Sequence, residues 1–255
     1  KDWQVCQEAA QNSSMTAVFL AKLAADKKFD GRSNAAQAPN TLPVVLEQLA
    51  VDKDQYVRAA VAKNPNTPAS VLEQLAVDKK ADVRSGVVGN PNTRSELLER
   101  LAEDKHEGVR ENVAKHPHTS STALERLAAD KKEDVRKYVA ENPHTPVAVL
   151  ERLTADKSSC IRERAIRNIA SQSNISMAIL EKMLKDTNAH IRAFVTRTPD
   201  AHVLFDDTMQ RKTLKPGVFE GFLSNPNIIP KLEPYLPDFL RLLEGKEPLS
   251  DMTGS

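Results

Sequence analysis

The chain has 255 residues, with 36 Lys and Arg against 35 Asp and Glu, a balance that argues for neither an acidic tail nor a general attraction for nucleic acid. Aromatics make up only 4%, Gly is scarce at 8, and Ala, Leu, Glu, Lys and Arg abound, a composition that favours helix. No apolar run nears the roughly 20 residues of a membrane-spanning helix, and no signal-peptide pattern is visible. The two cysteines, Cys6 and Cys160, form neither a disulfide framework nor a metal-ligand spacing, so a reducing, cytoplasmic setting is the default expectation.

In chain order, the sequence begins with Lys1 rather than Met, which points to a fragment or a processed form. Residues 1–12 read as an N-terminal capping helix. Val5 and Ala9 hold the apolar positions of the repeat that follows, and Cys6 stands where that repeat has arginine. From residue 13 the chain copies itself every 26 residues: Pro39, Pro65, Pro91, Pro117 and Pro143 keep that step, as do Leu20, Leu46, Leu72, Leu98, Leu124 and Leu150. Such self-similarity is the mark of a stacked-repeat architecture. The next leucine, Leu180, comes after 30 residues, which places a four-residue insertion near Ile169–Gln172. Two charged series run in step: Asp26, Asp52, Asp78, Asp104, Asp130, Asp156 and Asp186, and Arg32, Arg58, Arg84, Arg110, Arg136, Arg162 and Arg192. The units are therefore 13–38, 39–64, 65–90, 91–116, 117–142, 143–172 and 173–198.

Residues 199–255 read as a degenerate repeat and C-terminal cap. Val218 to Asn227 echo a second helix and its proline stop, with Phe219 at the arginine position. Phe205, Phe219, Phe222, Tyr235 and Phe239 cluster here, suited to closing an exposed core or docking a partner. The last residues, Asp251 to Ser255, read as disordered.

The unit from Pro65 to Asn90 shows how the sequence specifies its elements. Thr67 is a candidate N-cap, followed by Pro68 at the first helical position, where its missing N–H costs nothing. In the next unit Thr93 and Glu96 have capping-box spacing. Val71, Leu72, Leu75 and Ala76 fall on one stripe of a first helix that ends near Asp78-Lys79. A shorter second helix carries Val83, Arg84, Val87 and Val88, and Asn90-Pro91 stops it, because a residue before proline avoids the α region. Each helix is too short to be stable alone, so stacked pairs must share one core.

The string N-P-N-T-P-x-x-x-L-E-x-L-A-x-D, followed by V-R-x-x-V-A-x-N-P, recurs across residues 13–198 and resembles the leucine-rich repeat variant family. The resemblance implies a right-handed superhelix of short helix pairs, an all-α solenoid related to HEAT repeats, with some helices 3₁₀ in character. One type in that family binds an iron–sulfur centre through a cysteine cluster ahead of the repeats. Cys6 and Cys160 do not form such a cluster, and no cofactor is expected here. The family shares an architecture and no reaction, so function must be argued from the surface.

Two sets of residues are candidates. The seven arginines share a face with buried valines, so each needs a partner. The Asp series supplies one per unit, Asp78 lying six residues before Arg84, and a structural Asp–Arg ladder is favoured over a phosphate-binding row. The exposed face of the second helices, expected to line the concave side, is the better binding site. Its positions run Ala59, Ala60, Lys63; Ser85, Gly86, Gly89; Glu111, Asn112, Lys115; Lys137, Tyr138, Glu141; Glu163, Arg164, Arg167; Ala193, Phe194, Arg197. Small residues come first and basic ones last, which marks Lys115, Lys137, Tyr138, Arg164, Arg167, Phe194 and Arg197 as candidate partner-binding residues. His118 and His144 replace Asn40, Asn66 and Asn92 at a turn, and His116 and His118 alone make a weak metal signal. No catalytic triad, phosphate loop or metalloprotease motif occurs.

The reading is a non-enzymatic scaffold for a protein or peptide partner. The rival is a nucleic-acid-binding HEAT-like protein of the DNA-alkylation-repair kind, which is expected to be basic and to carry groove aromatics. A HEAT-like lyase or cofactor-handling enzyme is a further rival, without a catalytic set to support it.

Overall fold

The computed structural model describes residues 17–172 and 175–198, together with 201, 222 and 228. The two expected caps, 1–12 and 199–255, lie outside the described residues except at Ala201, Phe222 and Ile228, which are fully buried. The chain divides into two compact units, Lys1–Thr145 and Pro146–Ser255.

All fourteen elements of the described residues are α-helices, arranged as seven pairs. The first unit holds α1 (Ala17–Ala24) with α2 (Phe29–Gln37), α3 (Pro43–Leu49) with α4 (Gln55–Lys63), α5 (Ala69–Leu75) with α6 (Ala81–Val88), α7 (Ser95–Leu101) with α8 (Glu107–Lys115), and α9 (Ser121–Leu127) with α10 (Glu133–Glu141). The second holds α11 (Val147–Leu153) with α12 (Ser159–Gln172), and α13 (Met177–Leu184) with α14 (Ala189–Thr196). The four inserted residues lengthen a helix rather than a loop: α12 has 14 residues where α10 has 9. No 3₁₀ helix appears among the described residues. Three-residue backbone bonds are confined to helix ends and turns, such as Asp78 N–H to Leu75 O at 3.0 Å.

Within each pair the apolar stripes meet, and within each compact unit successive pairs extend the same core. Leu46, Leu72, Leu98 and Leu124 are 0–1% exposed, and Val57, Val83, Val109 and Val135 are fully buried. Each such leucine contributes about 1.5–3 kcal/mol relative to exposure. The second helices form a row in which α2 packs on α4, α4 on α6, α6 on α8 and α8 on α10. Gly86 brings α6 close to α4, since a Cβ there would lie 2.9 Å from Ala62 Cβ and 3.1 Å from Ala59 O.

The threonines before the first helices do not cap them. Thr67 Oγ1 donates to Val61 O at 2.5 Å, and Thr41, Thr93, Thr119 and Thr145 make the same bond to Ala35, Val87, Val113 and Val139. The proposed Thr93–Glu96 capping box is therefore not formed, and Arg94 is the N-cap of α7. The hydroxyl is drawn inward because the threonine is buried against the end of the preceding second helix. A buried donor there adds a second bond to a last-turn carbonyl, such as Val61 O, which already accepts Asn64 N–H, instead of serving the next helix.

A second interior series joins consecutive pairs. Asn90 Nδ2 donates to Ala62 O at 2.7 Å and Asn64 O at 2.8 Å, while its Oδ1 accepts Asn92 N–H at 2.9 Å. Asn64 and Asn142 repeat this pattern. The Asn-Pro step thus does more than end a helix: it ties α4, α6 and α10 each to the second helix before.

Candidate functional site

Arg84 shows how the charged series is used. Its Nε and Nη2 donate to the two carboxylate oxygens of Asp104 at 2.5 and 2.7 Å, and Nη1 donates to the backbone oxygen of Asp78 at 2.6 Å. The expected aspartate six residues back supplies its carbonyl, and the carboxylate comes from the following unit. Arg32 meets Asp52, Arg58 meets Asp78 and Arg110 meets Asp130 at 2.5–2.6 Å; in the second compact unit Arg162 meets Asp186 at 2.6 Å. Arg136 and Arg192 bond the backbone oxygens of Asp130 and Asp186 at 2.7 Å. Arg192 Nε is buried with no partner among the described residues.

Each aspartate also accepts the N–H two residues on, as Asp104 accepts that of His106, Asp26 that of Lys28 and Asp156 that of Ser158, all at 2.8–2.9 Å. Burial raises the Asp104 pKa, but the Arg84 hydrogen bond, the His106 N–H and the Arg84 charge together leave it below the ordinary carboxylate value. Asp52, Asp78 and Asp130 follow the same balance, and at Asp186 the Arg162 hydrogen bond is the largest influence. The arginines are raised, first by their carboxylate hydrogen bonds. This geometry spends the guanidinium donors on the stack itself.

The candidate partner-binding residues lie on the open side of the second helices. In the first compact unit, Lys115 Nζ on α8 sits 3.6 Å from the centroid of Tyr138 on α10. Lys137 Nζ is 4.5 Å from the same ring and pairs with Asp134 at 2.5 Å. In the second unit, Arg167 stacks over Phe194 at 4.7 Å and pairs with Glu163 at 2.8 Å. Arg164 Nε lies 3.3 Å from Cys160 Sγ, and Arg197 is exposed beyond α14. The aromatics and cations thus meet one another, through contacts worth about 0.5–1 kcal/mol each at exposed sites.

Sequence reasoning missed a cleft in the small-residue half of the first unit. It measures about 480 Å³ and is lined by Ser33 and Gln37 of α2 and by Tyr56, Ala59, Ala60 and Lys63 of α4, with Asn64 and Pro65 beyond. The available signal was Ala59 and Ala60, standing where α10 has Lys137 and Tyr138. Side chains of one carbon leave the space that larger ones fill elsewhere.

At the turn after α8, His116 takes the place of the buried asparagine. Its Nδ1 accepts His118 N–H at 3.2 Å, copying the Asn Oδ1, but no donor of His116 reaches the preceding pair among the described residues. Its ring meets that of His118 edge-on at 5.6 Å, and burial, then the neighbouring His118 charge, lower its pKa. No cluster of three or more metal-ligating side chains, and no helix long and apolar enough to cross a membrane, occurs among the described residues.

Known proteins bear on the fold. A family described as Leucine Rich Repeat Variant domain matches residues 57–116, and one described as Leucine rich repeat variant matches residues 107–131 and 133–158. A solved structure described as a leucine-rich repeat variant with a novel repetitive structural motif is similar at 22% identity and TM-score 0.57, covering 76% of this chain and 81% of its own. An X-ray structure of YibA from E. coli is similar at 17% identity and TM-score 0.52, covering 87% and 95%. Both likenesses concern the fold alone. No curated protein matches the sequence.

Proposed function

Since the repeats across residues 57–158 belong to the leucine-rich repeat variant family, we propose that this protein is a non-enzymatic scaffold whose second-helix faces bind a protein partner. One observation carries this reading: positions that hold the stack recur from unit to unit, while the outward second-helix positions do not. Arg58, Arg84 and Arg110 are the same residue in the same bonds. The outward triplets differ: Ala59, Ala60 and Lys63 on α4, Glu111, Asn112 and Lys115 on α8, and Lys137, Tyr138 and Glu141 on α10, the last of each exposed and the others half-buried. A surface that only needed solvation would not have to differ so, whereas recognition draws on distinct groups along an extended face.

Arg32, Arg58, Arg84, Arg110 and Arg162 are poor phosphate ligands because their Nε, Nη1 and Nη2 donors are already engaged. A nucleic-acid reader would also need a basic field, and the chain's net charge is +1. The test is affinity capture from the native host with the wild-type chain and with Arg164→Glu/Arg167→Glu/Arg197→Glu and Lys63→Glu variants. A specific protein retained by wild type and lost from one variant supports the scaffold. Retention of nucleic acid alone, or turnover of a substrate by the purified chain, overturns it.

A further inference from the structure

Cations at the C-terminal end of the second helices have a regular neighbour. Lys115 lies over Tyr138 of the next pair, and Arg167 lies over Phe194 of the next. Lys63 is the equivalent residue two units before Lys115, and across from it the ring position is Gly86. A Cβ on Gly86 would meet the Lys63 stem at 3.5 Å, so the stem is held against α6 with no ring beneath its ammonium. Lys63 is exposed and has no ion pair among the described residues. It also lines the 480 Å³ cleft between α2 and α4.

The other end of the cleft is aromatic. Tyr56 is 60% exposed and meets Phe29 edge-on at 6.3 Å. Asp30, in the first turn of α2, and Asp54, the N-cap of α4, lie at that end together with Lys28, the N-cap of α2, and Lys53. On α2, Gln37, the repeat counterpart of Lys63, donates its Nε2 to Ser33 Oγ at 2.9 Å, which leaves the amide oxygen as an acceptor. Tyr56 and Lys63 are seven residues apart on one helix, a rise of roughly 10 Å. Three residues of extended chain span about the same distance.

We infer that this cleft binds an extended acidic peptide segment, with a carboxylate on Lys63 and an apolar side chain against Tyr56 three residues away, an assignment that rests on the scaffold reading. Lys63 at one end and the Tyr56 ring at the other fix the direction of the segment. Both anchors are exposed, so replacing them leaves the fold alone.

The test pans a phage library of random short peptides against the whole chain. Affinities of the enriched peptides are then measured by fluorescence anisotropy for wild type, Lys63→Glu, Lys63→Arg and Tyr56→Ala. Enriched sequences are expected to share Asp or Glu spaced three residues from a bulky apolar residue. Lys63→Glu should weaken them about tenfold or more, Lys63→Arg little, and Tyr56→Ala severalfold, with unchanged thermal midpoints. Peptides without a carboxylate, indifference to Lys63→Glu, or a library that yields no binder overturns the assignment. Peptides that survive Lys63→Glu but are lost from the Arg164, Arg167 and Arg197 reversal overturn the cleft and leave the scaffold standing. A single-stranded oligonucleotide that outcompetes every peptide and is released by Lys63→Glu overturns the peptide as occupant.

Discussion

Arg58 and Lys63 lie on the same nine-residue helix and have opposite fates. Arg58 is buried at the turn, bonded to Asp78 Oδ1 and Oδ2 and to the Asp52 carbonyl. Lys63 projects from the open face into a cleft. A charge facing the interior must find fixed partners, because leaving water uncompensated is costly. A charge facing solvent has no such requirement and is available to another molecule. The contrast separates a stabilising region from a recognition region within a single repeat.

The largest break in that contrast is expected at Asp104. The Arg84–Asp104 side chains are 5% and 6% exposed, so Asp104→Ala strands a guanidinium in a nearly closed site. A loss of about 3 kcal/mol is expected, at the lower end of the range for a broken buried pair. Urea unfolding measures it; a loss below about 0.5 kcal/mol would place the series among ordinary surface pairs. Because the folded-state pKa values of Asp52, Asp78, Asp104, Asp130 and Asp186 are depressed, their stabilisation is full above the unfolded value and lost as pH falls through the folded values. Wild type should therefore weaken below about pH 4, and Asp104→Ala should show a shallower fall.

Next in size is Asn90→Ala, which removes two bonds to the preceding pair and one turn bond. A loss of about 1–3 kcal/mol is expected from the bonds removed in the interior, read as a lower urea midpoint. His116 offers the reverse experiment. Its depressed folded-state pKa means that the unfolded chain binds the proton more readily, so stability falls as pH drops below about 6.5. His116→Asn should remove that dependence and add about 1 kcal/mol by supplying the missing donor. Thermal melts at pH 7.5 and 5.5 check this, as illustrative conditions on either side of about 6.5; a pH difference that persists in the variant would assign it to another group.

The smallest stability effect is expected on the open face. Arg164→Glu, Arg167→Glu and Arg197→Glu should each shift stability by no more than about 0.5 kcal/mol. A large drop in the melting midpoint would show that these side chains belong with the buried arginines, and the division drawn from Arg58 and Lys63 would fail.

The repeat length, the seven pairs, the apolar stripes and the proline stops were legible in the sequence, because each depends on spacing that stacking requires. The candidate site was only half legible. Tyr138 and Phe194 were visible as groove aromatics, but their capture by Lys115 and Arg167 was not, since each contact joins residues of different repeats. The cleft was hidden for a related reason: Ala59 and Ala60 say that space exists, and only the position of α2 says what encloses it.

What the sequence determined by itself is therefore the local grammar: which residues form helices, where they end, and which face of each is apolar. The tertiary structure decided the partners. Arg84 has Asp78 six residues away and Asp104 twenty away, and it takes the carbonyl of the first and the carboxylate of the second. Thr67 turns from its own helix to Val61, and Asn90 reaches back to Ala62. In each case the repeat offers the same residue types in both directions, and periodicity alone cannot choose between them. The stacking of one pair on the next settles the choice, by bringing one donor and one acceptor within bonding distance and burying both.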